Sequence, residues 1–246
     1  MCSSFRSLIA IGVFAYHATC ASAGLLTPEY ETQLGTWLGE SAVFVPVYTK
    51  TAGDDSAEFH ASVAAYAQTI TLIEVQIAGS DVWMIVGGYN PHNWSATDGF
   101  HLTPADSDRN AFIFNLSTTT KFGQKLGDPA GEYQTNNLAA IGPQFGRGAD
   151  LLVDGDLLSG SAYNDSYGPD GPGLTNILGL IGTTGFVVGQ METYALKIAK
   201  QEPQDPKPGT KPGTKPKVVP EPSSMVLLGL GGLVSGLGVV RRRRKS

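Results

Sequence analysis

The stretch at residues 69–89, TITLIEVQIAGSDVWMIVGGY, decides the fold, because it contains two apolar strands and a turn between them. In an extended chain Ile70 and Leu72 point to one face of the first strand, whereas Ile73 and Val75 point to the other. We therefore expect this strand to be covered on both faces or to change phase at a bulge near Leu72. Either arrangement places the strand in the core.

The turn Ala78-Gly79-Ser80-Asp81 joins this strand to a second one at 82–89, so the region is predicted to be a β-hairpin. Upstream, Thr27 and Pro28 predict a helix start, and Leu34, Trp37 and Leu38 form its apolar stripe. A second helix is predicted at 58–68. The remaining strand candidates are 43–49, 111–116, 149–153, 186–189 and 192–199.

These short strands and their Gly-, Asn- and Asp-rich loops favour an α+β fold that is mainly β. We expect a two-sheet antiparallel sandwich flanked by a few short helices. The segment 24–199 has a length typical of one globular domain. It carries six Lys or Arg residues against nineteen Asp or Glu residues, a net charge of −13, which argues against nucleic acid as a partner.

The first 23 residues have the layout of a secretory signal peptide: Arg6, a largely apolar run at 8–18, and the small residues Ala21 and Ala23 before the cleavage point. Signal peptidase is the expected processing partner. Both cysteines fall within this segment, so we expect no disulfide in the mature chain. Cys20 leaves a lipoprotein signal as an alternative.

The domain is followed by a Pro-, Lys- and Gly-rich linker at 200–219 and by a tail at 220–246. The linker has few apolar side chains to bury, so it is predicted to be a spacer. In the tail, an uncharged apolar run at 223–240 has the length of a transmembrane helix. The tail begins with the motif Pro220, Glu221, Pro222 and ends with the basic stop Arg241, Arg242, Arg243, Arg244, Lys245.

This order of motif, span and basic cluster resembles the PEP-CTERM sorting signal of bacterial exported proteins. The resemblance implies processing by the membrane transpeptidase exosortase, with cleavage near Glu221 and release to the cell surface or extracellular matrix. The inner membrane would then hold the chain only transiently. A plain single-span anchor is the alternative, since a basic cluster after a span also fixes its cytoplasmic end.

A second resemblance covers much of the domain and is carried by short pieces in a fixed order. The pieces are Phe59-His60, 69–73, 86–89 with Trp94, 111–114, 142–146 with Asp150-Leu151, Ser166-Tyr167 and 191–194. Together they resemble the TLDc domain, whose known fold is a two-sheet antiparallel sandwich with flanking helices. That family has no agreed catalytic reaction, so the resemblance implies no mechanism.

Glu192 and His60 are candidate functional residues. Glu192 has the strand parity of Tyr194, which places a carboxylate at the edge of apolar packing, where it needs a partner. A structural ion pair with Arg147 is the favoured interpretation, and a functional acid is the alternative. His60 is expected to be a packed or hydrogen-bonded histidine, and the alternative is a base acting with Glu192.

Aromatic and acidic residues supply the other candidates. Trp94 and Tyr89, with Trp83 and Tyr133, would form a platform for sugar rings if they are exposed. We expect no metal or cofactor, and calcium is the alternative. Its oxygen ligands would come from Asp150, Asp154 and Asp156, with Asp165 and Asp170 in the next loop.

The sequence contains no nucleophile, metal or cofactor motif of a known enzyme class. We therefore expect a non-catalytic exported module that associates with exopolysaccharide or another component of the cell envelope. The alternative is a small extracellular stress-protective enzyme or hydrolase that uses Glu192 and His60.

Overall fold

The computed structural model describes residues 24–95, 99–169 and 174–198. They form two α-helices, α1 (Pro28–Leu38) and α2 (Ser56–Val63), and eleven strands. The strands are β1 (Ala42–Thr49), β2 (Thr69–Ile77), β3 (Trp83–Asn90), β4 (Phe100–Leu102), β5 (Phe112–Asn115), β6 (Thr120–Gly123), β7 (Tyr133–Asn136), β8 (Gln144–Phe145), β9 (Leu151–Val153), β10 (Ser159–Ala162) and β11 (Thr184–Ile198). The predicted signal, linker and tail lie outside the described residues.

Both helices begin where side chains satisfy the first free backbone N–H groups. The hydroxyl of Thr27 accepts a hydrogen bond from the Tyr30 backbone N–H at 3.3 Å, and Pro28 follows, as predicted. At α2, Asp55 and Glu58 form a reciprocal capping box. Because of this box α2 begins at Ser56, before the start predicted at 58. The helix ends at Val63, whereas the prediction extended to 68.

The strands form one hydrogen-bonded sheet in the order β4-β7-β8-β9-β10-β11-β2-β3-β5-β6, and β1 pairs separately with β11. Every pairing between these strands is antiparallel. The mainly β, antiparallel class with a few helices is therefore confirmed. The division into two sheets stays a prediction, because the described strands follow one continuous path.

The long strand β11 connects the two halves of the sheet. Its first residues pair with β10, from Thr184 with Ala162 to Val187 with Ser159, while its later residues pair with β1. Its other edge pairs with β2, and a register shift lies between Val188 and Met191. The prediction of two separate strands at 186–189 and 192–199 was wrong, because the β-bulge bends one strand without ending it.

Apolar side chains cover both faces of the central strands. Ile70 and Leu72 belong to one buried cluster, whereas Ile73 and Val75 belong to the other. The β2–β3 register has no shift, so the strand is covered on both faces and needs no change of phase at Leu72. We call the cluster of Ile70 and Leu72 the α1 cluster. Its members are Leu25, Leu34, Ile70, Leu72, Tyr89, Phe112, Phe114, Leu116, Tyr194 and Leu196. We call the other the α2 cluster, and it contains most other buried apolar side chains, including Phe59, Val63, Trp94, Phe145 and Tyr167.

The two glycines at the end of the hairpin make room for aromatic rings. A Cβ atom on Gly87 would overlap the backbone carbonyl oxygen of Thr71 and lie 2.7 Å from Cζ of Phe114, and one on Gly88 would lie 2.6 Å from Cε2 of Phe145. Larger residues would therefore displace rings from both clusters, since Phe114 lies in the α1 cluster and Phe145 in the α2 cluster.

Candidate functional site

Glu192 lies on β11 beside the α1 cluster and is 6% exposed. Its Oε2 atom accepts hydrogen bonds from the Leu25 backbone N–H at 2.8 Å and from the Tyr194 hydroxyl at 2.5 Å. Burial and the neighbouring carboxylate raise the pKa of Tyr194. The carboxylate therefore holds the start of the described chain against β11.

The predicted ion pair between Glu192 and Arg147 was wrong. Arg147 donates from Nε and Nη2 to the carboxylate of Asp165, at 3.1 and 3.0 Å. Its guanidinium also lies 5.2 Å from the centroid of the Tyr133 ring. The two hydrogen bonds hold Arg147 against the loop that contains Asp165, because a guanidinium can satisfy one carboxylate with two donors at once.

His60 is a buried residue of α2 and is 4% exposed. Its Nε2 atom bonds the Ile141 carbonyl at 3.0 Å, and its ring meets the Phe59 ring edge-on at 5.2 Å. Phe59 belongs to the α2 cluster, whereas the partners of Glu192 belong to the α1 cluster. The fold thus does not bring His60 and Glu192 together.

The four predicted platform aromatics do not share one surface. Trp94 is fully buried, donates to the Thr69 hydroxyl at 2.9 Å and packs edge-on against Phe59 and Phe145, so it does not contribute to an exposed sugar platform. Trp83 is 44% exposed at the start of β3. Tyr133 contacts Arg147.

Tyr89 does contribute to a cavity, which we call the aromatic pocket. The pocket has a volume of about 390 Å³ and lies between α1 and the strands β3, β5 and β6. Three aromatic side chains and four polar ones line it: Trp37, Tyr89, Phe112, Glu40, Arg109, Asn110 and Lys121. Such a concave mixture of aromatic and polar groups is typical of small-ligand sites.

The rings of the aromatic pocket are held by one another. The Tyr89 and Phe112 centroids lie 5.2 Å apart, and those of Trp37 and Phe112 lie 6.5 Å apart. The Nζ atom of Lys121 lies 5.2 Å from the Phe112 centroid. Tyr89 and Phe112 are nearly buried and Trp37 is half-buried, so Trp37 is the most accessible ring of the pocket. The polar residues Glu40, Asn110 and Lys121 are exposed.

Arg109 supports one wall of this pocket, and sequence reasoning missed it. Its side chain is 3% exposed and donates hydrogen bonds to four backbone carbonyls. It also forms an ion pair with Asp106 at 2.6 Å. The acceptors are Thr103, Pro104, Lys125 and Asp128. The only available signal was a single cation in the acidic stretch Ala105-Asp106-Ser107-Asp108-Arg109.

Asp150 is fully buried and acts within the fold. Its two oxygens accept hydrogen bonds from the backbone N–H groups of Asp165, Ser166 and Tyr167 at 2.7 to 3.0 Å. Burial raises its pKa to about 6, although these donors act in the opposite direction. These contacts occupy both oxygens, so Asp150 fixes the loop after β10.

The other calcium candidates lie in a turn before β10. Asp154 accepts a hydrogen bond from the Ser159 hydroxyl at 2.6 Å, and Asp156 accepts one from the Leu158 backbone N–H at 2.9 Å. Among the described residues, no three His, Cys, Asp or Glu side chains are grouped to hold a metal ion. Asp170 lies outside the described residues.

The predicted processing segments also lie beyond the residues that the structure describes. These are Ala21 and Ala23 of the signal peptide and the whole region from 200 to 246, with its motif, span and basic stop. In the part that is described, no helix combines the length and hydrophobicity needed to span a membrane.

Comparison with known proteins identifies one feature, at the C-terminus. Residues 218–245 match the model of the PEP-CTERM protein-sorting motif. No curated protein matches the chain. The match covers the proposed motif, the span and the whole basic stop, so it agrees with the sequence prediction for this tail. The chain therefore carries the sorting signal of exosortase-processed proteins, which indicates export and association with the cell surface.

Proposed function

We propose that the protein is a non-catalytic module of the cell surface or extracellular matrix that binds exopolysaccharide in the aromatic pocket. The sorting motif supports a location where such polymers occur. The pocket supports the ligand class, because an accessible tryptophan can stack on a sugar ring while Lys121, Glu40 and Asn110 meet its hydroxyl groups.

The resemblance to the TLDc domain agrees with a binding role, since that family has no agreed reaction. A TLDc-like sandwich would present the pocket on a rigid sheet. The alternative of a hydrolase with Glu192 and His60 gains no support from contacts, because the two side chains have separate sets of partners.

Binding can be tested by cosedimentation of the full-length chain with exopolysaccharide extracted from the native strain. Trp37→Leu removes the accessible ring, and Trp83→Leu is the matched control outside the pocket. We expect Trp37→Leu to weaken binding by about tenfold, as for the loss of one stacking contact, and Trp83→Leu to have little effect. If Trp37→Leu and Trp83→Leu bind the polysaccharide equally well, the polymer binds to another surface of the protein.

A second pair of variants separates binding from folding, since Trp37 also packs against Phe112 and Phe114. Lys121→Met changes an exposed pocket residue, and Lys197→Met makes the same change on exposed β11 surface. Only the first should reduce polysaccharide binding. If wild-type protein does not cosediment with the polymer at all, the proposed ligand class is wrong.

Processing is tested by the intact mass of the protein from membrane and extracellular fractions of native cells. A species that begins at Gly24 and ends near Glu221, and that disappears when the exosortase gene is deleted, would support release to the matrix. A membrane species that still ends at Ser246 would support the plain anchor.

A further inference from the structure

Two histidines that sequence reasoning did not select lie side by side in a second cavity. His92 follows β3, and His101 lies in β4. Their ring centroids are 4.1 Å apart, with an angle of 32° between the planes. The cavity has a volume of about 370 Å³ and borders the aromatic pocket at Asn110. We call it the histidine pocket.

The backbone around each histidine is fixed, but the rings themselves are free to bind. The His92 backbone N–H donates to Oδ1 of Asn90 at 3.0 Å, and His101 is opposite Thr135 in the β4–β7 pair. Within the described residues, no ring nitrogen of either histidine forms a hydrogen bond with protein. Both imidazole rings belong to residues that line the cavity.

The pair is suited to metal binding because metals bind neutral imidazole. The charged residue that lines the same pocket is Asp108, which is exposed.

One buried oxygen lies on the strand that pairs with His101. Oγ1 of Thr135 has no hydrogen-bond partner within the described residues. Thr135 lies directly opposite His101, where Cβ atoms of antiparallel strands are about 5 Å apart. Its hydroxyl can therefore accept a hydrogen bond from the His101 nitrogen that does not bind the metal, as at many metal sites.

We propose that His92 and His101 together bind a divalent transition-metal ion, Zn²⁺ or Cu²⁺, in the histidine pocket. Imidazole nitrogen suits these ions at about 2.0 Å, whereas calcium and magnesium prefer oxygen. His92 is exposed, so its side-chain torsions can bring a nitrogen toward the ion held by His101. Water completes the coordination, which leaves positions open to an external ligand.

Isothermal titration calorimetry with ZnCl₂ and CuCl₂ tests this site in the full-length chain. Every variant carries Cys2→Ser and Cys20→Ser, so that thiols contribute no binding. We expect about one equivalent of metal in the parent chain and at least about tenfold weaker binding in His92→Ala and in His101→Ala. Excess calcium chloride should not displace the ion.

His60→Gln is the matched control, because it removes another imidazole of the domain while the amide can still donate to Ile141. This variant should bind metal like the parent chain. Thermal unfolding of each variant checks that the fold is kept. The proposal is overturned if the parent chain binds neither ion, or if His92→Ala/His101→Ala binds as tightly as the parent.

Discussion

Two buried carboxylates illustrate different ways in which this fold holds chain segments together. Asp150 uses both oxygens to accept backbone N–H groups from the loop 165–167, close to it in the structure and in the sequence. Glu192 uses one oxygen to hold Leu25, 167 positions away, and the Tyr194 hydroxyl. The first carboxylate shapes a loop, whereas the second attaches the N-terminal segment to the sheet.

The difference matters because loss of a buried acceptor lowers stability most when its donors cannot reach another acceptor or water. The donors to Asp150 are rigid backbone groups, and two of them, on Ser166 and Tyr167, belong to buried residues. Of the donors to Glu192, the Tyr194 hydroxyl can rotate and Leu25 lies near the start of the described chain. Asp150 should therefore be the more sensitive position.

Asp150→Asn is expected to have the largest effect. The amide places an NH₂ group against backbone donors, so we expect the free energy of unfolding to fall by about 3 kcal/mol. Urea denaturation at pH 7 measures this change. Asp81→Asn, on the exposed hairpin turn, is the control and should stay within about 0.5 kcal/mol of wild type.

Glu192→Gln should cost less, about 1.5 kcal/mol, because the amide oxygen can still accept one of the two hydrogen bonds. Tyr194→Phe removes the second donor, and a double-mutant cycle with Glu192→Gln measures their coupling. If Glu192→Gln lowers the free energy of unfolding as much as Asp150→Asn does, the expected ranking of the two regions is wrong.

The pH dependence of stability distinguishes the two carboxylates further. Because burial raises the folded-state pKa of Asp150 to about 6, above the ordinary value of 3.8, the folded chain binds this proton more tightly than the unfolded chain does. Its contribution to stability therefore grows as the pH falls through 6 and is lost as the pH rises through 6. Between pH 7 and pH 5 we expect a gain of about 1 kcal/mol.

This gain is measured as the difference in unfolding free energy between wild type and Asp150→Asn at the two pH values. The subtraction removes the contributions of the other acidic groups. A difference that stays constant from pH 7 to pH 5 would show that Asp150 remains ionised in the folded protein.

Calcium should have the smallest effect. Since the contacts of Asp150 with the loop occupy both of its oxygens, about 1 mM calcium chloride should shift the midpoint of thermal unfolding by less than about 1 °C. Differential scanning calorimetry with calcium or with EDTA measures the shift. A clear stabilisation by calcium would restore the acidic turn at Asp154 and Asp156 as a candidate site.

Local patterns predicted the elements that depend on neighbouring residues. The hairpin, β1 and the start of α1 were found because alternation, turn residues and a capping threonine lie within a few positions of each other. The short strands β7 and β8 were missed, because Tyr133-Gln134-Thr135-Asn136 is polar and becomes a strand only through pairing with distant partners.

The candidate site was predicted less well than the fold, for the same physical reason. Tyr89 was selected and does line a pocket, but burial of Trp94 and the roles of Arg109 and Asp150 depend on long-range contacts. A single charged residue in a sequence gives no sign of whether distant carbonyl or N–H groups will surround it. His92 and His101 are nine positions apart and become neighbours only through the fold.

The position of β11 has a consequence for the timing of export. This strand closes the sheet by pairing with β1, β2 and β10, yet it is the last strand of the described domain. A chain that crosses a membrane from its N-terminus cannot complete these pairings until residue 198 has emerged. Because pairing between strands far apart in the sequence forms slowly, we expect the sheet to close only after the whole domain has crossed.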